Sequence, residues 1–321
     1  MSTEREDDMA TASPRVSIGL PVFNGAKYLP GALESLLHQE YKDFELIISD
    51  NASTDQTRGI CEEFARQDSR IRYTRNDCNL GLAPNHNRVF TLSRGEFFKW
   101  AAHDDEYPSQ MLKRYVEAFD VAPASVIVVY SACECIDELG NPQCRRSDRV
   151  DKRDARPYRR LAHLLQHIGM YNCTYGLIRS EMLRKTRLHG SFPAADRVLF
   201  SELAMLGEFL ELPEPLVRLR IHPGRSFAAH KSRQALRELF DPANKGKPDI
   251  LSIEGRVQVE LLKSAWRIPS RLPDRLLCLW AALAASNWRK FKNFGGRQKR
   301  KLAHLLAGAQ SREPDPGQLK S

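Results

Sequence analysis

Two acidic clusters hold the residue types from which chemistry can be built. Ser49-Asp50-Asn51-Ala52-Ser53-Thr54-Asp55 follows the apolar run Phe44 to Ile48, and Ala102-His103-Asp104-Asp105-Glu106 follows Phe97 to Trp100. An apolar run that ends in carboxylates reads as a strand with an acidic carboxyl end, which is where ligands bind in an open α/β sheet. Oxygen ligands on a divalent cation and a nucleotide diphosphate are the natural occupants of such a site.

The elements that must position these clusters alternate along the chain. Val16 to Leu20 is a β-type run that stops at Pro21; Asn24-Gly25 and a helical pattern through Leu29, Leu33, Leu36 and Leu37 follow. Phe44 to Ile48, Ile71 to Thr74 and Phe97 to Trp100 read as further strands. Helices fall between them, one carrying Ile60, Phe64 and Ala65, the next over Asn85 to Leu92. This alternation predicts an α/β fold with a mostly parallel sheet flanked by helices. Met111 to Phe119 then reads as a helix and Ser125 to Tyr130 as a strand. From the Gly140-Asn141-Pro142 turn to Arg160 no periodicity is present, which predicts a long mobile loop. Leu161 to Ile168, Tyr175 to Arg179 and Leu199 to Leu206 resume ordered structure, and helical patterns dominate from Ser232 onward.

Composition narrows the class. The chain has 321 residues, 42% of them hydrophobic, enough for one large core with an appended region. Met1 to Pro14 lacks the apolar stretch of a secretory signal, and Leu276 to Ala285 is far short of the about twenty residues that cross a bilayer. Seven cysteines without a Cys-x-x-Cys pair fit neither a disulfide framework nor a zinc ribbon, which predicts a reduced, cytoplasmic setting. The formal net charge of +9 is concentrated in two tracts, Arg145 to Arg160 and Arg289 to Lys301. Both suit anionic lipid, an anionic acceptor or nucleic acid, and equally a solvated basic loop. Aromatic residues are not interleaved with the first tract as a stacking platform requires, so nucleic acid is not the expected partner.

In order and spacing the motifs resemble the family 2 glycosyltransferases, which have the GT-A fold, a Rossmann-like α/β architecture. The resemblance rests on Ile18-Gly-Leu-Pro-Val-Phe-Asn-Gly25, Leu36-Leu-His-Gln39 with Tyr41, Ser49 to Asp55, Asn79-Leu-Gly-Leu-Ala83 with Asn87, and Gly95-Glu-Phe-Phe98 running into Asp104-Asp105. It is close over about the first 120 residues and weaker to about residue 226. It implies a disordered tail at 1–14, a catalytic domain at 15–228 (nucleotide-binding part to about 120, acceptor part beyond), a helical basic region at 229–312 and a frayed tail at 313–321.

The resemblance also implies roles. Pro21, Val22 and Phe23, with Asn24, sit where the family holds the nucleotide base, and Asp50 matches the aspartate that meets the base imide. Asn79 and Asn87 fall among the donor-binding positions. Asp104 matches the carboxylate that reaches the ribose, and Asp105 the one that binds Mn²⁺ or Mg²⁺, with His222 of Arg220-Ile-His222 as a second metal contact. Arg225 is placed to clamp phosphate. Asp196, in Ala194-Ala-Asp196-Arg197, falls where the family keeps its catalytic base; a helix cap is the alternative reading.

The implied activity is inverting transfer of a sugar from a UDP- or dTDP-sugar to a hydroxyl of a glycan or lipid-linked acceptor, as in surface polysaccharide synthesis. Such an enzyme would be cytoplasmic or peripheral at the inner face of a membrane. Trp266, Trp280 and Trp288, among leucines and basic residues, fit an interfacial helical stretch or plain packing on the catalytic domain. A nicotinamide dehydrogenase is excluded by the missing Gly-x-Gly-x-x-Gly, and a sugar-phosphate nucleotidyltransferase by the missing basic glycine-rich loop after the first strand. Ala102 and Ala195 stand where family members often carry acids. A nucleotide-sugar-binding or nucleic-acid-binding protein that lost the chemistry is therefore the competing reading.

Overall fold

The computed structural model describes residues 13–167, 172–225, 229, 232–247, 250–268 and 271–285. Strands β1 (Val16–Val22), β2 (Phe44–Asp50), β3 (Ile71–Arg75) and β4 (Phe97–Trp100) alternate with helices α1 (Leu29–Leu37), α2 (Thr57–Gln67) and α3 (Leu82–Thr91). Then come α4 (Met111–Val121), β5 (Val126–Ile136), β6 (Pro142–Arg146), α5 (Pro157–His167), β7 (Leu177–Arg179), α6 (Ser180–Arg184), α7 (Ala195–Leu206) and β8 (Glu208–Arg220).

All residues of β1, β2 and β4 are buried, as expected for strands covered by helices on both faces. The strand order is β3-β2-β1-β4-β7-β5-β6, with β8 along the other edge of β5. The sheet is parallel across β3-β2-β1-β4 and between β5 and β8. It is antiparallel where β7 joins β4 to β5 and where β6 returns on β5. The expected parallel sheet is thus the core of a mixed one.

One apolar cluster packs α1, α2 and α4 on one face. A second packs α3, α5 and α7 on the other, and it extends into the helix Ile253–Arg267 through Val257, Leu261 and Ala265 and into helix 272–285 through Cys278, Ala281, Ala282 and Ala285. An ionic knot ties this C-terminal region down. The carboxylate of Glu202, buried in α7, accepts from the Arg187 Nε at 2.9 Å, the Arg267 guanidinium at 2.8 Å and the Ser264 hydroxyl at 2.7 Å. Arg187 also reaches Glu260 at 2.8 Å.

The stretch 140–160 differs from the expected mobile loop. Gly140, at φ 89°, makes the turn, Asp137 accepts from the amides of Leu139 and Asn141, and Pro142–Arg146 pairs with β5 as an exposed edge strand. Proline and arginines belong on such an edge, where they oppose pairing with another chain. The tails 1–12 and 286–321, with Trp288 and the tract Arg289 to Lys301, lie outside the described residues.

Candidate functional site

The carboxyl ends of β1, β2 and β4 lie side by side, and their loops are keyed together. Asn24 takes a left-handed φ of 51°, which presents its side-chain oxygen to the Thr54 amide at 2.8 Å. In return the Asn24 amide donates to the Ser53 hydroxyl at 2.9 Å, Gly25 to Thr57 at 2.9 Å and Ala26 to Asp55 at 3.1 Å. The His103 ring lies against Gly25 so closely that a Cβ there would stand 2.6 Å from it. The loops after β1, β2 and β4 thus form one floor. Pro21 and Val22 are buried in it and Phe23 stands 41% exposed above.

Asp50 is fully buried at the end of β2. Its carboxylate receives the Arg75 guanidinium at 3.2 Å, the Tyr73 hydroxyl at 3.1 Å and the Ser53 amide at 2.8 Å. Behind it runs a ladder of neutral amides: Asn51 donates to Asn79 at 2.8 Å and accepts from Asn76 at 2.9 Å, and Asn76 donates to Asn85 at 3.0 Å. Asn79 also accepts from the Gly81 amide at 2.8 Å, so its side-chain oxygen shapes the turn into α3. Asn87 exchanges two hydrogen bonds with the backbone of His189, at 2.8 and 2.9 Å.

The second acidic cluster is anchored to the end of β8. Glu106 and Arg218 exchange backbone hydrogen bonds at 3.0 and 2.9 Å. Arg220 then spans the site: its amide donates to Asp105 at 2.9 Å, its Nε to the Asp104 carbonyl at 3.0 Å, and its Nη1 to the carbonyls of Asp137 and Glu138 at 3.0 and 3.1 Å. His222 Nε2 lies 2.9 Å from the Asp104 carboxylate, and its ring packs on Tyr28 at 5.0 Å.

The two aspartates titrate in opposite directions. Burial pushes Asp104 up, but His103 and the hydrogen bond from His222 outweigh it and hold Asp104 below the usual carboxylate range. Burial, then the charge of Asp104, pushes Asp105 up to about 8. Its Oδ2 is buried and has no hydrogen-bond partner. Lys99, fully buried in β4, is pushed down to about 7 by burial, and its charge offsets only part of the rise of Asp105.

An orphaned, desolvated carboxylate oxygen beside a second carboxylate fits a divalent cation, which would restore the charge that burial denies Asp105. No set of three or more His, Cys, Asp or Glu ligands is present among the described residues. Mg²⁺ and Mn²⁺ at phosphates take one or two carboxylates, with substrate oxygens completing the shell.

Asp196 lies at the start of α7, after Ala194 in a left-handed conformation of φ 63°. Burial pushes its carboxyl up, and the Arg197 amide donates to it at 2.9 Å. The Tyr175 phenol responds electrostatically to Asp196 as well as to the aspartate pair. Tyr175 is raised first by burial and then by Asp105 and Asp104, and it senses Arg225 and Asp196 as well. Asp104, Asp105 and His222 thus meet at the end of β8 beside the floor of Pro21 to Asn24 and Asp50, and Asp196 stands at the start of α7. Sequence reasoning assigned nothing to Tyr175, Lys99, Tyr73 or Arg75. Arg75, the last residue of β3, sits at a carboxyl end like the acidic clusters, which is the one positional signal among them.

Solved structures share this architecture. Staphylococcus aureus TarS, crystallised with UDP-GlcNAc, aligns with a TM-score of 0.52 at 15% identity, over 86% of this chain and 92% of that one. The mannosyltransferase PcManGT from Pyrobaculum calidifontis, in complex with GDP-Man and Mn²⁺, aligns with a TM-score of 0.51 at 17% identity, over 94% and 89%. At those identities the likeness shows the GT-A fold. In sequence, an uncharacterised glycosyltransferase of Rickettsia typhi is 32% identical over 128 residues, 40% of this chain and 39% of that protein. The chain thus spans about two fifths of that relative's length. The Campylobacter jejuni GalNAc(5)-diNAcBac-PP-undecaprenol beta-1,3-glucosyltransferase is 26% identical over 192 residues, 59% of this chain and 60% of that one. The family model for glycosyl transferase family 2 matches residues 17–187, more than half of the chain. On that match, supported by a sheet whose β1, β2 and β4 loops converge on Asp50, Asp104 and Asp105, the chain belongs to glycosyl transferase family 2.

Proposed function

We propose that this glycosyltransferase is an inverting, metal-dependent enzyme that moves a sugar from a UDP- or dTDP-sugar to a hydroxyl of a glycan or lipid-linked acceptor in surface polysaccharide synthesis. The observation that carries the reading is the buried, unpartnered Oδ2 of Asp105 beside Asp104 and His222. In this reading 15–228 is the catalytic domain and 229–312 a helical basic region.

The floor of Pro21, Val22, Phe23 and Asn24 receives the base, with Asp50 at its edge. Asn79 and Asn87 shape the donor site through the backbone they hold. Asp104 would orient the ribose, Asp105 and His222 would hold Mn²⁺ or Mg²⁺, and Arg225 would meet phosphate. When bound, the cation neutralises the charge that develops on the leaving diphosphate. Asp196, deprotonated, takes the proton of the acceptor hydroxyl as that oxygen attacks the anomeric carbon; the bond to the diphosphate breaks on the opposite face. The raised pKa of Asp196 brings its basicity nearer to what this step needs.

A lipid-linked acceptor is supported by the C-terminal helices. On helix 272–285, Leu272, Leu276, Trp280 (67% exposed) and Leu283 form an outward apolar stripe, Trp266 stands exposed on the preceding helix, and the basic tract Arg289 to Lys301 follows in sequence. Among the described residues no helix is long and apolar enough to cross a membrane. A stripe of this kind, followed in sequence by a basic tract, suits the interface of an anionic bilayer and supports the reading of an enzyme peripheral at the inner membrane face.

Calorimetric titration with UDP, dTDP and GDP, with and without Mn²⁺, tests the donor site. Metal-dependent binding of one nucleotide, lost in Asp105→Ala, is expected; no binding under any condition overturns the reading. Sedimentation with vesicles containing anionic lipid tests the stripe: Trp280→Glu with Leu276→Glu is expected to release the protein, and unchanged sedimentation of that variant refutes the membrane role.

A further inference from the structure

Cys135 and Cys144 take no part in the chemistry above, yet they face each other. They are direct cross-strand partners where β6 pairs with β5. Opposed positions of an antiparallel pair hold their Cα atoms about 4.5 to 5.5 Å apart, within the about 4.4 to 6.8 Å that a disulfide spans. Beside this pair, the Arg146 Nε donates to the Cys144 sulfur at 3.3 Å. Cys144 is exposed on the edge strand, whereas Cys135 is buried behind it. Arg146 above all holds the Cys144 thiol below its ordinary range, while burial pushes Cys135 up. An accessible sulfur beside a guanidinium, facing a buried thiol across the strand pair, has the arrangement of an attacking and a resolving cysteine.

We propose that Cys144 and Cys135 are a peroxide-responsive thiol pair, oxidised reversibly to a disulfide that staples β6 to β5. The Cys144 thiolate attacks one oxygen of a hydroperoxide, the O–O bond breaks, and Cys144 becomes a sulfenic acid as the other oxygen leaves as water or alcohol after taking a proton. The Cys135 sulfur then attacks the sulfenic sulfur, losing its proton, and the sulfenic oxygen departs as water. The two thiols are oxidised by two electrons in total and the peroxide is reduced by two. A dithiol reductant reverses the change, in keeping with the transient, sensing role of disulfides in reducing compartments.

The test is mass spectrometry of the full chain after brief exposure to hydrogen peroxide, with peptide mapping. The wild type is expected to lose 2 Da, with the bond mapping to Cys135 and Cys144 and thiols restored by dithiothreitol. Cys135→Ser is expected to stop at a sulfenic acid on Cys144 that a dimedone probe captures. Cys144→Ser, on an exposed strand where packing is unaffected, is expected to leave Cys135 reduced. Cys78, the other exposed cysteine, is the internal reference and is expected to react more slowly. An unchanged mass, a bond mapped to any other pair, or Cys78 oxidised as fast as Cys144 overturns the proposal.

Discussion

Asp105→Asn is expected to make the metal-free protein more stable, and more so as pH rises. The folded carboxyl is pushed up to about 8 from an ordinary 3.8. Between those values the folded chain binds a proton that the unfolded chain releases, so stability contributed by this group is full below pH 3.8 and is lost as pH rises toward 8. Each pH unit in that window costs up to about 1.4 kcal/mol, which sets a ceiling of about 4 kcal/mol at pH 7. Asparagine removes the titration, keeps an oxygen for the Arg220 amide, and resembles the protonated acid. For a chain of this size about 4 kcal/mol corresponds to a Tm gain of order 10 °C as an upper bound. Thermal melts in EDTA from pH 4 to 8 read this directly, with the two proteins coinciding at the acid end. Adding Mn²⁺ and UDP at about 100 times Kd should raise the wild type by about 2.7 kcal/mol and leave the variant unmoved. A Tm difference independent of pH, or equal stabilisation of both proteins, refutes the reasoning.

Three further outcomes follow from the same geometry. Because burial raises Asp196, kcat is expected to climb with pH as that carboxyl loses its proton, and Asp196→Asn to lower turnover by about 10² to 10⁴ with nucleotide affinity unchanged in calorimetry. Glu202→Ala strips the shared partner from Arg187, Arg267 and Ser264; a loss of about 3 kcal/mol is expected in denaturant melts, with hydrogen exchange accelerated first in Ile253–Arg267. Asn87→Ala removes both bonds to the His189 backbone and should cost about 1 to 3 kcal/mol in the same melts.

How legible the fold was depends on where each element sits. Val16 to Leu20, Phe44 to Ile48 and Phe97 to Trp100 announce themselves because strands covered on both faces are nearly all apolar. β6 was invisible for the opposite reason: Pro-Gln-Cys-Arg-Arg is exposed throughout, and only its pairing with β5 makes it a strand. Of the candidate site, the acidic clusters were legible as types and spacing. Their electrostatics were not, because the rise of Asp105 depends first on burial in the folded chain and then on the charge of Asp104 beside it. Arg220 likewise acts through contacts with residues 82 to 116 positions away, which no local pattern encodes.

The two hydrogen bonds between Asn87 and His189 join positions 102 apart in sequence. One belongs to α3, the other to the segment leading into Asp196. The two halves of such an enzyme are therefore not interchangeable cassettes. A chimera that takes residues 15–120 from this chain and the rest from a relative inherits one half of a clasp, so recombination between family members should succeed where Asn87 and the His189 turn travel together.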